Sequence, residues 1–298
     1  MLPTLRQLHY LKLLAEHRSF SRAAEAAHVT QPTLSAGVQE LEKILGAPVV
    51  DRGRSGVILT AAGEEAVARA ALILAQAEDL VQATRGASQP LSGRFRLGVI
   101  PTIAPFLLPK ALPALRRRYP KLRLFLREDL TGRLIAGLKA GSLDAALVAM
   151  PYDMAGLDWA EVGEDELYAA FPANHPLTAE QRVAPERLDD EDLILLEDGH
   201  CLREHVLAAC GLAAGRQLDD AAFAATSLPT LVQMVGSGLG VSFLPGMAVE
   251  AGLADAAAVT VRPLDAEQSA RQIVVAWRAG SSRAAEGRLL AQVLRGEG

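Results

Sequence analysis

The chain has 298 residues, half of them hydrophobic and few aromatic, with a formal net charge of −5. That length suits one to three domains with sizeable cores, and the acidic balance excludes a polycation, so a local surface must do any nucleic-acid binding. No run of eighteen apolar residues supports a membrane span, and Met1–Arg6 lacks the charged-then-apolar pattern of a leader, so a cytoplasmic protein is expected.

Residues 5 to 17 pattern as an amphipathic helix with Leu5, Leu8, Leu11 and Ala15 on one side. Ser19-Phe20-Ser21 reads as a cap before a second helix, Arg22 to Ala27. After a break at His28–Gln31, Pro32 suits the first turn of a third helix, Pro32 to Glu42. Val29, Leu34, Val38 and Leu41 supply the inward side, which is helix-turn-helix grammar spanning about residues 20 to 39. Gln31, Pro32, Thr33, Ser35 and Gln39 then face outward, where short polar groups read base edges in a major groove. Over residues 1 to 60 seven cations stand against five carboxylates, a slight surplus. Arg22, Arg52 and Arg54 are placed to meet phosphates, while Arg6 and Arg18 read better as solvated. Leu45 to Arg52 and Val57 to Thr60 form a two-stranded wing.

The Ser-x-x-x-Ala-Ala pattern, the run Thr30-Gln31-Pro32-Thr33-Leu34-Ser35, the following Leu-x-x-x-Leu-Gly and the Leu-Thr-x-x-Gly at 59 to 63 resemble the LysR-type transcriptional regulators. The resemblance implies a winged helix-turn-helix domain over 1–60 that binds double-stranded operator or promoter DNA. It implies a linker and dimerisation helix over 61–90, and a regulatory domain over 91–298. Ala61 to Thr84 does keep a helical period, and Gly86-Ala87-Ser88-Gln89-Pro90 is linker-like.

Beyond residue 90 the rhythm is strand, helix, strand: 93–100, 107–119, 122–128, 131–140 and 143–148. A second copy runs from about Asp165 to Pro263, followed by Ile273–Trp277 and a helix from Arg283 to Leu294. Such alternation argues an α/β fold with a mainly parallel sheet and helices on both faces. The expected layout is two lobes resembling periplasmic binding proteins, about 91–163 plus 268–298, and 164–267.

Both cysteines of the chain fall in one stretch, Glu197-Asp198-Gly199-His200-Cys201-Leu202-Arg203-Glu204-His205-Val206-Leu207-Ala208-Ala209-Cys210. In one regular helix they would lie roughly 13 Å apart along the axis and face opposite sides. A disulfide needs Cα atoms within about 7 Å, so bridging requires refolding of what lies between. His200, Arg203, His205 and a helix N-terminus favour a Cys201 thiolate. Cys210, among Ala208, Ala209, Gly211 and Leu212, reads as a buried, inert thiol. Attack of the Cys201 thiolate on a peroxide oxygen, then condensation of the sulfenic acid with Cys210, is one reading; two ordinary buried cysteines is an equal one.

The cysteine segment, Val99–Pro105, Ala225–Leu228 and Gly238–Pro245 are similar to the peroxide-sensing branch of the same family. That resemblance implies Cys201 as the reactive thiol, Cys210 as the resolving one, and Thr102, Thr131, His200, Arg203 and Glu204 around the peroxide. Glu204 stands where that branch often has Asp. It also implies a homotetramer built as a dimer of dimers, RNA polymerase as a partner, reduction by a glutaredoxin-type reductant and activation of transcription under oxidative stress. From the residues alone, each threonine reads better as a helix cap. No cofactor, metal or enzymatic turnover is expected. A regulator bound by an organic effector and, less favoured, a thiol peroxidase are the competing readings. A serine hydrolase fails for want of Gly-x-Ser-x-Gly. Gly236–Gly240 reads as a tight strand entry, and the spacing of His200, Cys201, His205 and Cys210 is poor for zinc.

Overall fold

The computed structural model describes residues 1–53, 56–85, 90–211, 224–266 and 269–297. Contacts divide it into two units, Met1–Ser88 with Gly137–Ser142, and Gln89–Ala136 with Leu143–Gly298.

In the first unit every early helix begins at a hydroxyl. Thr4 opens α1 (Leu5–His17) with a capping box, accepting from the Gln7 N–H while the Gln7 side chain accepts from the Thr4 N–H. Ser19 opens α2 (Phe20–Ala26), and Thr30 opens α3 (Gln31–Leu45) with Pro32 in its first turn. Leu8, Leu11 and Leu14 of α1 meet Ala23 and Ala24 of α2 and Leu34, Val38 and Leu41 of α3 in one core. Each fully buried Leu or Val there contributes about 1.5–3 kcal/mol. Leu5, expected inside, is 50% exposed; α2 and α3 cover the later turns of α1, so its buried stripe runs through Leu8, Leu11 and Leu14.

β1 (Val50–Gly53) and β2 (Gly56–Leu59) pair antiparallel as the wing. Thr60 then ties the wing to α4 (Ala61–Arg85): its hydroxyl donates to the Pro48 carbonyl at 2.6 Å and accepts from the Gly63 N–H at 3.0 Å. A Cβ on Gly63 would sit 1.9 Å from the Val49 carbonyl oxygen, so only glycine fits. The Leu-Thr-x-x-Gly motif is this joint.

The second unit opens with β3 (Gly93–Val99), α5 (Ala104–Arg118), β4 (Leu122–Glu128), α6 (Thr131–Lys139) and β5 (Ala145–Met150). It continues with β6 (Leu157–Pro172), α7 (Cys201–Ala209), α8 (Leu228–Gly236), β7 (Ser242–Pro245) and α9 (Gly246–Glu250). β8 (Val259–Pro263), β9 (Ala270–Arg278) and α10 (Ala284–Leu294) close it. Gly236–Gly240 is the turn from α8 towards β7, as the sequence suggests.

The sheet runs β4-β3-β5-β9-β6-β7, with β8 also on β6. Its direction corrects the expected mainly parallel sheet. β3 is parallel to β4 and β5, but β9 is antiparallel to β5 and β6, and β6 is antiparallel to β7 and β8. Strand–helix alternation forces parallel neighbours only while each strand joins the next one in sequence. β9 returns late and inserts between β5 and β6. β6 pairs with β9 over Leu157–Glu166 and with β7 and β8 beyond it, passing from one lobe into the other. The later lobe has its own core, into which α7 lays Leu202, Val206 and Ala209 beside Leu196, Leu231 and Phe243.

Candidate functional site

Cys201 is the first residue of α7, and the loop before it is pinned at both ends. The Glu197 N–H donates to the Ala225 carbonyl at 3.0 Å, and the Ile194 N–H to that of Val241 at 2.9 Å. Gly199 turns the chain into the helix at φ +92°, a conformation that disfavours any side chain. The result is a narrow crevice, partly open to solvent, in which Cys201, His200 and Gly199 face Thr102 after β3 and Thr131 at the start of α6. Thr102 is 2% exposed and Thr131 fully buried. Neither hydroxyl caps a helix. Thr102 Oγ1 accepts from Arg271 Nη1 at 2.8 Å, while Thr131 Oγ1 has no partner in the resting geometry and is placed to donate to the Cys201 sulfur when that is ionised. A buried unpaired hydroxyl costs about 1–3 kcal/mol, which a ligand in the crevice would relieve.

Arg203 and Glu204 do not line the crevice. The Arg203 guanidinium pairs with Asp198 at 3.1 Å and donates to the Leu196 carbonyl at 3.3 Å; it braces the loop. Glu204 is exposed. The histidines are not the cations expected either: burial lowers the pKa of His200, and that of His205 to about 4. His205 Nε2 lies 3.3 Å from the Pro151 carbonyl oxygen, holding the first turn of α7 against the segment after β5.

The cation facing Cys201 comes instead from β9. Burial raises the thiol pKa, while the Arg271 guanidinium and the Thr131 hydroxyl pull it back and Glu204 pushes it up. Arg271 is fixed from both sides, by Asp165 Oδ2 on its Nε at 2.9 Å and by the Thr102 carbonyl on its Nη2 at 3.0 Å. Its position in phase with Ile273, Val275 and Trp277 on an apolar strand was the available signal, because an arginine on the inward side of a strand needs a buried partner. Asp165 is likewise in phase with Leu167 and Ala169.

Cys210 caps the other end of α7. It is half-buried, whereas Cys201 is buried, the reverse of the expected order. Both thiols are free, with the whole helix between them. Burial, then Asp189 and Glu186, raise the Cys210 pKa to about 11. Among the described residues no cluster of histidine, cysteine and carboxylate ligands could hold a metal, and no helix is long and apolar enough to cross a membrane.

In the first unit Gln31, Pro32, Thr33 and Gln39 are exposed along α3, and Ser35 is half-buried. Gln31 Oε1 accepts from Ser21 Oγ at 2.9 Å, and the exposed Arg22 donates to the His17 carbonyl at 2.8 Å. Only the backbone of Arg52 is described, in β1; Arg54 lies outside the described residues.

Residues 5–64 match the family model for the bacterial regulatory helix-turn-helix protein, lysR family, and residues 88–298 match the LysR substrate binding domain. The chain is 44% identical to the HTH-type transcriptional regulator EstR of Acinetobacter baylyi, over 83% of this chain and 81% of that protein. It is 39% identical to the hydrogen peroxide-inducible genes activator of Dickeya chrysanthemi, over 82% and 80%. A full-length OxyR from Pseudomonas aeruginosa with a cysteine-to-aspartate change superposes with a TM-score of 0.80 at 37% identity, covering 99% of this chain and 98% of that one. From its capped helix-turn-helix to its two-lobed sheet, this chain belongs to the LysR family of bacterial regulatory proteins.

Proposed function

We propose that this chain is a transcriptional regulator that senses hydrogen peroxide, as an OxyR does. One observation carries the reading: a buried cysteine and two buried threonines line one crevice, a buried arginine bonded to one of those threonines favours the thiolate, and the second cysteine caps the far end of the same helix. A crevice this narrow excludes all but a very small ligand, and the Thr131 hydroxyl offers it a hydrogen bond. The Cys201 thiolate attacks one peroxide oxygen and the O–O bond breaks, giving a sulfenic acid and hydroxide, which is protonated to water. The Cys210 sulfur then attacks the Cys201 sulfur, forming the disulfide and releasing a second water. Two thiols are oxidised and one peroxide is reduced. A regular α7 holds the sulfurs roughly 13 Å apart, so disulfide formation must unwind it. That disturbs Leu202, Val206 and Ala209 and with them the lobe surface.

The proposal includes a winged DNA-binding domain over 1–60, with Arg22, Gln31, Pro32, Thr33, Ser35, Gln39, Arg52 and Arg54 at the DNA. It includes a dimerising linker over 61–90 and a redox-sensing domain over 91–298. Remodelling would shift a tetramer, a dimer of dimers, along the operator and alter its engagement with RNA polymerase. Glutaredoxin-type reductants would reset it. The protein turns over no substrate.

The test is a thiol count and intact mass before and after one equivalent of hydrogen peroxide, with Cys201→Ser and Cys210→Ser beside the parent chain. Loss of two thiols and about two mass units, with a sulfenic acid trapped in Cys210→Ser, supports the reading. Thiols that stay free return the crevice to an organic effector and the cysteines to packing.

A further inference from the structure

Arg271 and Asp165 are nearly removed from water, with side-chain exposures of 0% and 4%. They are direct cross-strand partners on β9 and β6, so the backbone ladder itself holds them together. The carboxylate is shared: Oδ2 accepts from Arg271 Nε and Oδ1 from the Met247 N–H at the start of α9, each at 2.9 Å. Arg271 in turn reaches Thr102 through both terminal nitrogens. A guanidinium buried this deeply must be balanced by an anion. Two groups can supply one here, the Asp165 carboxylate and the Cys201 sulfur as its thiolate.

We propose that Asp165 is a positioning residue that restrains Cys201: by neutralising Arg271 and fixing it on Thr102, it keeps most of the resting thiol protonated and so sets the threshold at which the sulfur reacts. The inference rests on the reading of Cys201 as the reacting thiol, but its test needs no peroxide. The other groups around the sulfur leave this role open to Asp165. On α7, His200 and His205 are kept neutral by burial and Glu204, exposed, opposes the thiolate. Tyr152, after β5, is kept protonated by burial and by Glu204. From α6 comes only the uncharged Thr131 hydroxyl. Removing the Asp165 charge therefore leaves the sulfur as the remaining counter-anion for Arg271.

The experiment is the rate of Cys201 alkylation by iodoacetamide against pH, in full-length protein carrying Cys210→Ser so that one thiol is read. Asp165→Asn should lower the midpoint by about one unit or more, making alkylation about tenfold faster at pH 7. An unchanged or raised midpoint in folded Asp165→Asn overturns the proposal. Should that variant not fold, the same charge is read between Arg271→Gln and the Asp165→Asn/Arg271→Gln double variant, in which no ion is left unpaired. There both midpoints should lie above the parent's and agree with each other, because Asp165 acts through Arg271 and a buried carboxylate left unpaired takes up a proton; a double variant whose midpoint matches the parent's or falls below it overturns the inference. If the midpoints move as expected while hydrogen peroxide leaves both native thiols free, this inference stands and the peroxide reading fails.

Discussion

The two ends of α7 carry the same side chain in opposite electrical settings. At the N-terminus Cys201 is buried, faces Arg271 and Thr131, and sits at the positive end of the helix dipole. At the C-terminus Cys210 is half-buried, faces Asp189 and Glu186, and sits at the negative end. Burial suppresses ionisation at both, but every further influence on Cys210 suppresses it too, whereas at Cys201 the arginine and the hydroxyl act against it. The asymmetry assigns an order to the chemistry. On the proposed reading, the first thiol reacts in place and the second does so after leaving its acidic surroundings.

The comparison can be broken most completely at the sulfur itself. Cys201→Ser should abolish disulfide formation and the transcriptional response to peroxide, whereas Cys210→Ser should still form a sulfenic acid, seen by dimedone trapping and mass analysis. If the two variants behaved alike, the assigned order would be wrong. Next comes the cation. Arg271→Gln removes the opposite charge that favours the thiolate, which moves a neighbouring pKa by about 1–3 units. Oxidation of Cys201 at pH 7 should slow about ten- to hundredfold, measured by stopped-flow thiol loss, with little change in the alkylation midpoint of Cys210.

The helix between the thiols gives a third test. His205 stays neutral in the folded protein down to about pH 4, against an ordinary 6.5. The unfolded chain therefore binds its proton first as pH falls. Stability from this group is complete above about pH 6.5, is lost progressively as pH falls towards 4, and levels off below. His205→Gln should flatten that slope by up to roughly 3 kcal/mol, taking 1.36 kcal/mol per pKa unit, read as the difference between variant and parent in urea unfolding at pH 7.5 and 4.5. Parallel slopes would mean that His205 does not latch the first turn. The smallest effect belongs to the acidic collar. Glu186→Gln with Asp189→Asn should lower the Cys210 midpoint by less than about one unit and speed disulfide closure a few-fold. A slower closure would show that the carboxylates assist resolution.

Legibility in the sequence follows how local each device is. The DNA-binding head was readable because its signals are short: Ser19 opens a helix within three residues of its partner, Pro32 sits in the first turn of the next, and Leu34, Val38 and Leu41 repeat at helical spacing. Helix α7 was readable for the same reason, and so was the consequence that its ends cannot bridge. The charge at Cys201 was misread for the opposite reason. His200, Arg203 and His205 adjoin it in sequence, yet burial neutralises the histidines and Arg203 turns to Asp198. The effective cation lies seventy residues later, on a strand whose neighbours no local pattern names. Strand direction was lost in the same way, since β9 joins β5 only through long-range pairing.

β6 and β9 run side by side for nine paired positions, from Leu157 with Arg278 to Glu166 with Ala270, and β6 then continues as the backbone of the later lobe. A clamshell that closes on its ligand turns about thin, flexible crossings; here the crossing is a ribbon ten residues long, riveted near the end that enters the later lobe by the Asp165–Arg271 pair. The buried ion pair and the shared ladder tie the two strands where they enter the later lobe. On the proposed reading the message then leaves as a change of surface shape around a rewound α7, which would make this molecule less a jaw than a lock whose key is cut from its own chain.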